Sequence, residues 1–253
     1  MNATEIMRMA FFEKQHWWYC GLRDMIRRTL ESRPVCRHPR VLDAGCGTGG
    51  NLRLLRAMLD PSYIGGFDVS PVAVDVCRGS LADADVYVSD LCDPELHVDE
   101  LDLVLSCDVI TIPGINNCVQ GLAKIAQRIR RGGMMILNLP AYQWLYSEHD
   151  AAVGTRQRVR TEEARRLLEH LGLKVELVTY RVFSLFPAVV AARLPSMLLS
   201  GESRTPRSDL KPVRPWLNGA FSRLLSAENR AIASGVRWPW GSSVFAVGRK
   251  TDE

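Results

Sequence analysis

The stretch VLDAGCGTGGN, residues 41–51, decides the fold, because it joins a short apolar strand to a helix through a glycine turn. Gly45, Gly47 and Gly49 let the backbone turn sharply and bring its N–H groups close to a ligand, which a Cβ would prevent. The GxGxG spacing differs from the GxGxxG of dinucleotide-binding loops, and Asp43 precedes it. That carboxylate would repel a diphosphate, whereas it would attract a ligand that carries an ammonium group.

Segments with strand and helix patterns alternate around this turn, which predicts a parallel sheet covered on both faces by helices. Pro71 suits the first turn of a helix, and Arg-Arg-Gly-Gly at 130–133 suits the end of one. Strands are predicted at about 40–43, 62–69, 86–90, 101–108, 134–140, 173–180 and 242–250. Helices are predicted at about 3–31 with a break near Gly21, 50–59, from 70 onward, and at 116–130, 161–171, 183–199 and 215–234, with a proline- and arginine-rich loop or lid at 201–215.

The first four predicted strands end on residues that suit the parts of one ligand. Asp68 ends the second strand, where a carboxylate can chelate two ribose hydroxyls. Asp90 and Leu91 follow the third strand and suit the exocyclic amine and the face of adenine. The fourth strand ends in Cys107-Asp108. Ligands of such sheets bind outside the carboxyl ends of the strands, so the pattern predicts a nucleoside with a cationic, amino-acid-like appendage.

This combination resembles the class I S-adenosylmethionine-dependent methyltransferases over about residues 38–180 and the final strand. The resemblance implies an α/β, Rossmann-like, seven-stranded sheet of order 3-2-1-4-5-7-6 with the last strand antiparallel. It also implies an N-terminal helix and a helical insertion before the last strand. One methyltransferase domain is then expected over 1–253, with an N-terminal helical cap at 1–36, a core at 37–180 and 241–250, and an insertion or lid at 181–240.

The same resemblance implies S-adenosylmethionine as the cofactor. Its carboxylate could pair with Arg23, and the rest of it would contact the strand ends. The expected cofactor-binding residues are Asp43, Gly45, Cys46, Gly47, Asn51, Asp68, Val69, Asp90, Leu91, Cys107, Asp108 and Arg23.

The methyl acceptor of this family meets the sulfonium near the ends of strands four and five and under the N-terminal helix. AYQWLYSEHD, residues 141–150, follows strand five directly, and HWWYCGLRDM, residues 16–25, lies in the N-terminal helix. Trp17 and Trp18 could equally be core anchors of that helix. The expected substrate-binding residues are Trp18, Tyr19, Tyr142, Trp144, Tyr146, Arg156 and Arg158, and the expected catalytic residues are Glu148, His149 and Tyr180.

Two kinds of acceptor are consistent with these residues. An oxygen or nitrogen acceptor needs a base, for which His149, Glu148 or His16 would serve. Methylation of an alkene carbon instead leaves a carbocation, which aromatic faces stabilise by about 2 kcal/mol or more each when desolvated. Glu148 would then remove a proton. If the alkene carries a diphosphate, arginines must hold it, either alone or with Mg²⁺.

A narrower resemblance favours the carbon acceptor. LPAYQWLYSEHD, SLFP and WGSSVFAV resemble the actinobacterial methyltransferases that alkylate prenyl diphosphates of the isopentenyl or geranyl type at carbon, but also a broader methyltransferase group with PAY-x-WL-x-SxHD. In that broader group Asp150 could simply cap a turn. Ile112 and Pro113 stand where many relatives carry a histidine base, which disfavours deprotonation of a hydroxyl. The alternative is an O- or N-methyltransferase of a natural-product or envelope-lipid intermediate.

Composition limits the partners. A net charge of +4 over 253 residues is too weak to indicate nucleic acid, and no Asn/Asp-Pro-Pro-Tyr/Phe motif follows strand four. Seven scattered cysteines without metal-ligand spacing predict reduced thiols in a cytoplasmic protein and no metal centre. No signal peptide or stable membrane insertion is expected. The partners expected are a small-molecule acceptor and a second copy of the chain that binds through the insertion. A non-catalytic protein that kept the cofactor pocket is the alternative to an enzyme.

Overall fold

The computed structural model describes residues 3–112, 114–147, 150–151, 154–198 and 213–251. Two of the predicted catalytic residues, Glu148 and His149, lie outside the described residues. So do Pro113 and most of the segment predicted as a loop or lid. Their roles stay predictions.

Seven strands form one mixed sheet. They are β1 (Arg40–Ala44), β2 (Tyr63–Asp68), β3 (Asp85–Val88), β4 (Leu101–Cys107), β5 (Ile129–Pro140), β6 (Lys174–Arg181) and β7 (Ser243–Arg249). The strand order is β3-β2-β1-β4-β5-β7-β6. β7 runs antiparallel to both β5 and β6, while the other neighbours pair in parallel. The predicted fold class is therefore confirmed.

Eight α-helices of ten or more residues accompany the sheet in the described part of the chain. They are α1 (Ala3–Phe12), α2 (Trp17–Ser32), α3 (Gly50–Leu59), α4 (Pro71–Ser80), α5 (Ile115–Arg128), α6 (Thr161–His170), α7 (Phe186–Leu198) and α8 (Pro215–Ala233). None of the helices that the structure describes combines the length and the apolar character needed to cross a bilayer.

The N-terminal helix breaks elsewhere than predicted. The break falls at residues 13–16, where the ring Nδ1 of His16 accepts the N–H of Trp18 at 3.3 Å and so caps a new helix. Gly21 lies inside α2, where a Cβ would come within 2.6 Å of Leu225 Cδ1 on α8. This glycine therefore permits close packing of two helices and does not interrupt one.

The Arg-Arg-Gly-Gly segment belongs to a strand and not to a helix end, contrary to the prediction. Ile129 pairs with Leu101 and Met134 with Leu103, so the pairing of β4 with β5 shifts across this segment. Arg130 forms an ion pair with the buried carboxylate of Asp102 on β4. The arginine is thus held by a carboxylate at the start of the neighbouring strand.

Two apolar clusters cover the two faces of the sheet, and the candidate site continues one of them. Residues of β4 alternate, with Val104 in the cluster under α5 and α6, and with Leu103 and Leu105 in the cluster under α2 and α8. Side chains two residues apart along a strand share a face. We call the side of the sheet that α2 and α8 cover the α2–α8 face. At the ends of its strands the apolar residues give way to Asp43 after Val41, Cys107 after Leu105, Asn138 after Ile136, and Arg181 four residues after Leu177.

The helical insertion packs against the N-terminal helix. Leu225, Glu228, Asn229 and Ile232 of α8 are buried, and the Asn229 side chain donates a hydrogen bond of 2.8 Å to the carbonyl of Gly21. The insertion therefore helps to enclose the α2–α8 face at the strand ends. Its roles as a lid and as an oligomer contact stay predictions.

Candidate active site

The glycine turn after β1 has the backbone that its sequence predicts. Gly45, Gly47 and Gly49 have φ of +85°, +54° and +87°. A Cβ on Gly45 would lie 2.3 Å from a methyl group of Val109, so the turn sits directly against the end of β4. The turn is also fixed to the end of β2, because the N–H groups of Gly45 and Cys46 donate to one carbonyl there at 2.8 and 2.9 Å.

Asp43 is buried with 1% of its surface exposed, and neither carboxylate oxygen has a hydrogen-bond partner. Burial, and then the charge of Asp68, raise its pKa to about 7, while the side chain of Asn51 acts in the opposite direction. An unpaired buried carboxylate is costly unless a ligand supplies its partner. An ammonium group with N–H donors would satisfy both oxygens.

Asp68 links the glycine turn to the start of α4. Its Oδ2 accepts the N–H of Gly47 at 3.0 Å, and its Oδ1 accepts the N–H of Ser70 at 2.9 Å. Burial raises its pKa, and these two hydrogen bonds lower it. Each oxygen keeps a lone pair, so the carboxylate can still accept two hydroxyl groups. The next residue, Val69, is 68% exposed and can cover a ligand on this side.

The turn after β3 offers one exposed and one buried side chain. Asp90 is exposed and accepts the N–H of Cys92 at 2.9 Å, while Leu91 is buried in the core. An exposed carboxylate here is available to accept an amine, and the contact of Asp90 with adenine stays a prediction. Leu91 is covered by protein, so adenine would contact its edge at most.

The segment between α1 and α2 lies over the glycine turn, and sequence reasoning missed its main contact. The buried carboxylate of Glu13 accepts the hydroxyl of Thr48 at 2.8 Å and pairs with Arg53. Arg23 donates to the carbonyl of Glu13, and its guanidinium would be 3.3 Å from a Cβ on Gly50. Arg23 therefore lies where it can reach a cofactor bound at the start of α3.

The aromatic residues of α2 were expected either to contact the substrate or to anchor the helix in the core, and the structure places them differently. Trp17 and Trp18 pack with Leu225, Val182 and Leu185 in a small apolar cluster between α2 and the insertion. That contact is what core anchors make. Tyr19 is half-buried, with its ring 6.3 Å from that of His16. Burial lowers the pKa of His16, which favours its neutral form.

The aromatic residues after β5 do meet, as the predicted acceptor site requires. Tyr142 stacks on Tyr180 with 5.0 Å between ring centroids, and its other neighbours are Trp144 at 5.6 Å and Phe186 at 5.8 Å. Tyr142 has φ of +58°, an uncommon backbone for a bulky residue. Trp144 and Tyr146 are 45% and 40% exposed. The resulting cluster joins the ends of β5 and β6 to α7.

An ion pair holds the rest of this loop. Arg158 donates from Nε to Asp150 at 3.0 Å and from Nη2 at 2.9 Å, and a third bond goes to the carbonyl of Ala141. Asp150 also accepts the N–H and the hydroxyl of Ser147 at 2.9 and 3.1 Å. Both charged residues are buried. The guanidinium of Arg158 is thus occupied by contacts within the loop, whereas Arg156 is exposed beside it.

A cavity of about 460 Å³ opens next to the aromatic cluster. It is lined by Gln143, Trp144, Gln157, Arg158, Arg160 and Glu163. The backbone N–H of Gln157 donates to the carbonyl of Thr111, three residues beyond Asp108, at 3.2 Å. The cavity therefore lies beside the turn that follows β4.

A chain of polar side chains ends the α2–α8 face, and two of its members were not predicted. Asn138 Nδ2 donates to Asp108 Oδ1 at 2.9 Å, and Arg181 Nη1 donates to Asn138 Oδ1 at 2.9 Å. The signal for Asn138 was a polar residue inside the apolar run MMILNLP, and for Arg181 a charge one residue beyond the predicted end of its strand. Cys107, beside them, has its pKa raised well above the ordinary thiol value by burial.

In the part of the chain that the structure describes, His, Cys, Asp and Glu side chains form no group of three or more that could hold a metal ion. The strand ends fit S-adenosylmethionine instead. Asp43 has two unpartnered oxygens for the ammonium, and the carboxylate of Asp68 has free lone pairs for the ribose.

Comparison with known proteins agrees with this geometry. Residues 41–133 match the family described as methyltransferase domain. A chain from the complex of the Haloferax volcanii Trm112 methyltransferase activator with a protein designated a methyltransferase has a TM-score of 0.63 at 20% identity, over 99% of this chain and 96% of that one. A TehB-like SAM-dependent methyltransferase from Corynebacterium glutamicum has a TM-score of 0.54 at 17% identity, over 90% and 88%.

Phosphoethanolamine N-methyltransferase 2 from Haemonchus contortus, solved with S-adenosyl-L-methionine, has a TM-score of 0.57 at 17% identity, over 90% of this chain and 52% of that one. At these identities the likeness concerns the fold. Taken with the matched domain and the strand order, it identifies the fold as that of the class I SAM-dependent methyltransferases.

Proposed function

We propose that the protein methylates a small molecule held between the end of β4 and the loop after β5, and that this molecule is a prenyl diphosphate methylated at an alkene carbon. The observation that carries the proposal is the cluster of Tyr142, Trp144, Tyr180 and Phe186 beside an arginine-lined cavity. Apolar faces and a fixed positive charge are the two features that an alkenyl diphosphate needs.

The cofactor would lie across the ends of β1 and β2, with its ammonium on Asp43 and its ribose on Asp68. Asp90 would accept the adenine amine, and Arg23 would pair with the carboxylate. The glycine turn packs against Val109, so a ligand on this turn lies next to the end of β4. The sulfonium methyl group would thus be delivered beside Asp108, at the turn that also borders the cavity.

The cavity suits the acceptor in size and chemistry. About 460 Å³ is within the range of ordinary small-ligand sites, which is roughly 300–1,000 Å³. Trp144 provides an aromatic wall, and Arg160 and Arg156 are exposed close by. Arg158 is occupied by Asp150, so a diphosphate would be bound by the two exposed arginines. If Mg²⁺ takes part, the substrate's own phosphates would supply most of its ligands.

Carbon methylation would proceed in two steps. The alkene carbon takes the methyl group, the sulfonium becomes a neutral thioether, and the positive charge moves to the neighbouring carbon. Aromatic faces stabilise that cation, and loss of a proton then restores the alkene. Glu148, the proton acceptor expected from the sequence, lies outside the described residues.

A second acceptor class is supported by a different observation. Asp108 is partly accessible at the end of β4, and burial raises its pKa to about 6. Such a carboxylate is a competent base near neutral pH for a hydroxyl or an amine. This geometry would serve an O- or N-methyltransferase of a natural-product or envelope-lipid intermediate without any use of the arginines.

Incubation with methyl-labelled S-adenosylmethionine tests the proposal. The acceptors would be isopentenyl, dimethylallyl, geranyl and farnesyl diphosphates, together with the matching prenyl alcohols and a set of hydroxylated and amino compounds, with products read by mass spectrometry. We expect a diphosphate to gain 14 mass units plus the mass of the isotope label, since a labelled CH₃ replaces H at carbon, and the prenyl alcohols to remain unmodified. Methylation of a hydroxyl or amine with no reaction of any diphosphate would establish the second class.

Two variants sharpen this test. Arg160→Ala should raise the KM for a diphosphate at least tenfold and leave the cofactor Kd unchanged, since Arg160 lines the cavity and not the strand ends that would hold the cofactor. Asp75→Asn, an exposed substitution on α4, is the matched control and should change neither. An unchanged KM in Arg160→Ala would separate the cavity from the acceptor site.

A further inference from the structure

Asp108, Asn138 and Arg181 form a chain of hydrogen bonds across the ends of β4, β5 and β6. Asp108 has φ of +61°, and its N–H donates to the carbonyl of Asn138 at 2.8 Å. The Asn138 side chain donates back to Asp108 Oδ1 at 2.9 Å. Backbone and side chain therefore fix the carboxyl group of Asp108 against one residue.

The orientation of the Asn138 amide follows from its two neighbours. A guanidinium only donates, so the amide oxygen must face Arg181 and the NH₂ group must face Asp108. Asp108 Oδ1 is thereby occupied. Its Oδ2 makes no hydrogen bond with the residues that the structure describes, and the residue as a whole is partly accessible. One carboxylate oxygen is thus left for a ligand.

Arg181 is fully buried, and its Nε and Nη2 have no hydrogen-bond partner. Burial lowers its pKa, while the carboxylates of Glu228, Asp108 and Asp24 raise it. A buried guanidinium with unpaired donors costs stability, and a methionine or leucine would pack there at lower cost. A positive charge kept under α2 and α8 at this position calls for a function.

We propose that Asp108 takes the proton that methyl transfer releases, and that Asn138 and Arg181 are positioning residues that orient its carboxylate and keep it ionised. This inference rests on the proposed function and holds for both acceptor classes. With a hydroxyl or amine, the acceptor atom forms the bond to CH₃, the C–S bond breaks, and the X–H proton goes to Oδ2. With an alkene, Oδ2 takes the C–H proton beside the cationic carbon.

Electrostatics around Asp108 support this role. Burial raises its pKa to about 6, Arg181, Asn138 and Arg158 lower it, and the charge of Asp150 raises it. A carboxylate with this pKa is largely ionised at pH 7, yet it binds a proton more readily than an exposed aspartate does. Loss of the Arg181 charge would raise the pKa of Asp108 and leave a larger fraction of it protonated at the same pH.

The first experiment needs no acceptor. Carbon-13 NMR of the full chain with carboxyl-labelled aspartate, saturated with S-adenosylhomocysteine, would follow Asp108, assigned with Asp108→Asn. We expect Asp108 to titrate near pH 6, and about one pH unit or more higher in Arg181→Met. If Arg181→Met does not fold, Asn138→Leu should move the titration in the same direction. Titration near pH 4, or no movement in these variants, would overturn the inference.

The second experiment uses whichever acceptor the panel identifies. Asp108→Asn should lower kcat by about 100-fold or more with the cofactor Kd within threefold, as loss of a general base does. Arg181→Met should move the acid limb of the kcat/KM profile to higher pH, and Arg181→Lys should restore part of it. A merely structural arginine would lower the amount of active enzyme without moving that limb.

The variant Glu148→Gln tests the competing hypothesis that Glu148 is the proton acceptor. If this variant loses turnover while Asp108→Asn keeps it, Glu148 is the proton acceptor and the inference is wrong. Should the wild-type protein methylate no compound of the panel, the proposed acceptors fail, and the NMR titration still decides the Asp108–Asn138–Arg181 relationship. Asp75→Asn again serves as the control that changes neither readout.

Discussion

Asp43→Asn is expected to stabilise the ligand-free protein. The folded pKa of Asp43 is about 7, above the ordinary value of 3.8, so the folded state binds a proton between these values that the unfolded state releases. Stability from this group is therefore present below about pH 4 and is lost as pH rises to about 7. Three pH units at about 1.4 kcal/mol each make the penalty about 4 kcal/mol at pH 8. The neutral amide avoids that penalty.

The same substitution should weaken the binding of the cofactor. Only ionised Asp43 attracts an ammonium group, so the apparent Kd scales with 1 + 10^(pKa − pH). This factor is about 2 at pH 7 and about 30 at pH 5.5, a window in which an α-amino group remains protonated. Affinity should thus fall about 15-fold over the window. At pH 6 binding should release about 0.9 proton, the fraction of Asp43 that is protonated beforehand.

Isothermal titration in two buffers of different ionisation enthalpy measures both the Kd and the proton release, and thermal unfolding of the free protein at pH 8 measures the stability. In Asp43→Asn we expect a higher Tm, a weaker Kd, and a pH dependence that is flattened to the residual contribution of Asp68. Asp75→Asn should behave as wild type. Equal proton release in wild type and Asp43→Asn, or a lower Tm in the variant, would refute the reasoning.

Three further substitutions test the rest of the site. Arg158→Met removes the bidentate partner of the buried Asp150, which keeps Ser147 and an ion pair with Arg193 at 3.6 Å. The substitution should therefore cost about 3 kcal/mol in urea unfolding, with part recovered when Asp150→Asn is added, and no cost would mean that the pair does not hold the loop. Tyr142→Ala should lower kcat/KM for the acceptor at least tenfold with the cofactor Kd within twofold by titration; a large change in that Kd would place Tyr142 in the cofactor site. Asp68→Ala should raise the cofactor Kd at least tenfold in the same titration, because the ribose partner and the hydrogen bond that fixes the Gly47 backbone are lost together. An unchanged Kd would exclude the ribose contact.

Local sequence patterns predicted most of the strands and helices of the fold. The glycine turn, Pro71 at the start of α4 and the apolar strands depend on neighbours in sequence, so their positions were predicted to within a few residues. The predictions were wrong where contacts between residues distant in sequence determine the local structure. His16 begins a new helix by capping it, and Arg130 is drawn into β5 by Asp102 across the sheet. Neither contact has a signature in the adjacent residues.

The candidate site shows the same division. Asp43 lies near the end of β1 and Asp68 ends β2, and the carboxyl ends of neighbouring parallel strands place the two residues together. Arg158 was predicted as a substrate ligand from its place in an arginine cluster, but the structure binds it to Asp150 eight residues earlier. A sequence contains both residues without stating that they pair.

Unsatisfied polar atoms give the most direct reason to place function at the strand ends of the α2–α8 face. Asp43 carries two buried oxygens without partners, and Arg181 carries two such nitrogens. Each group of this kind costs about 1–3 kcal/mol or more, which is a large share of the stability of an ordinary domain. Apolar residues of similar size would remove that cost. A carboxylate and a guanidinium on one face, each with buried polar atoms that lack partners, are therefore better explained by a ligand that carries both charge and a transferable proton than by the stability of the fold.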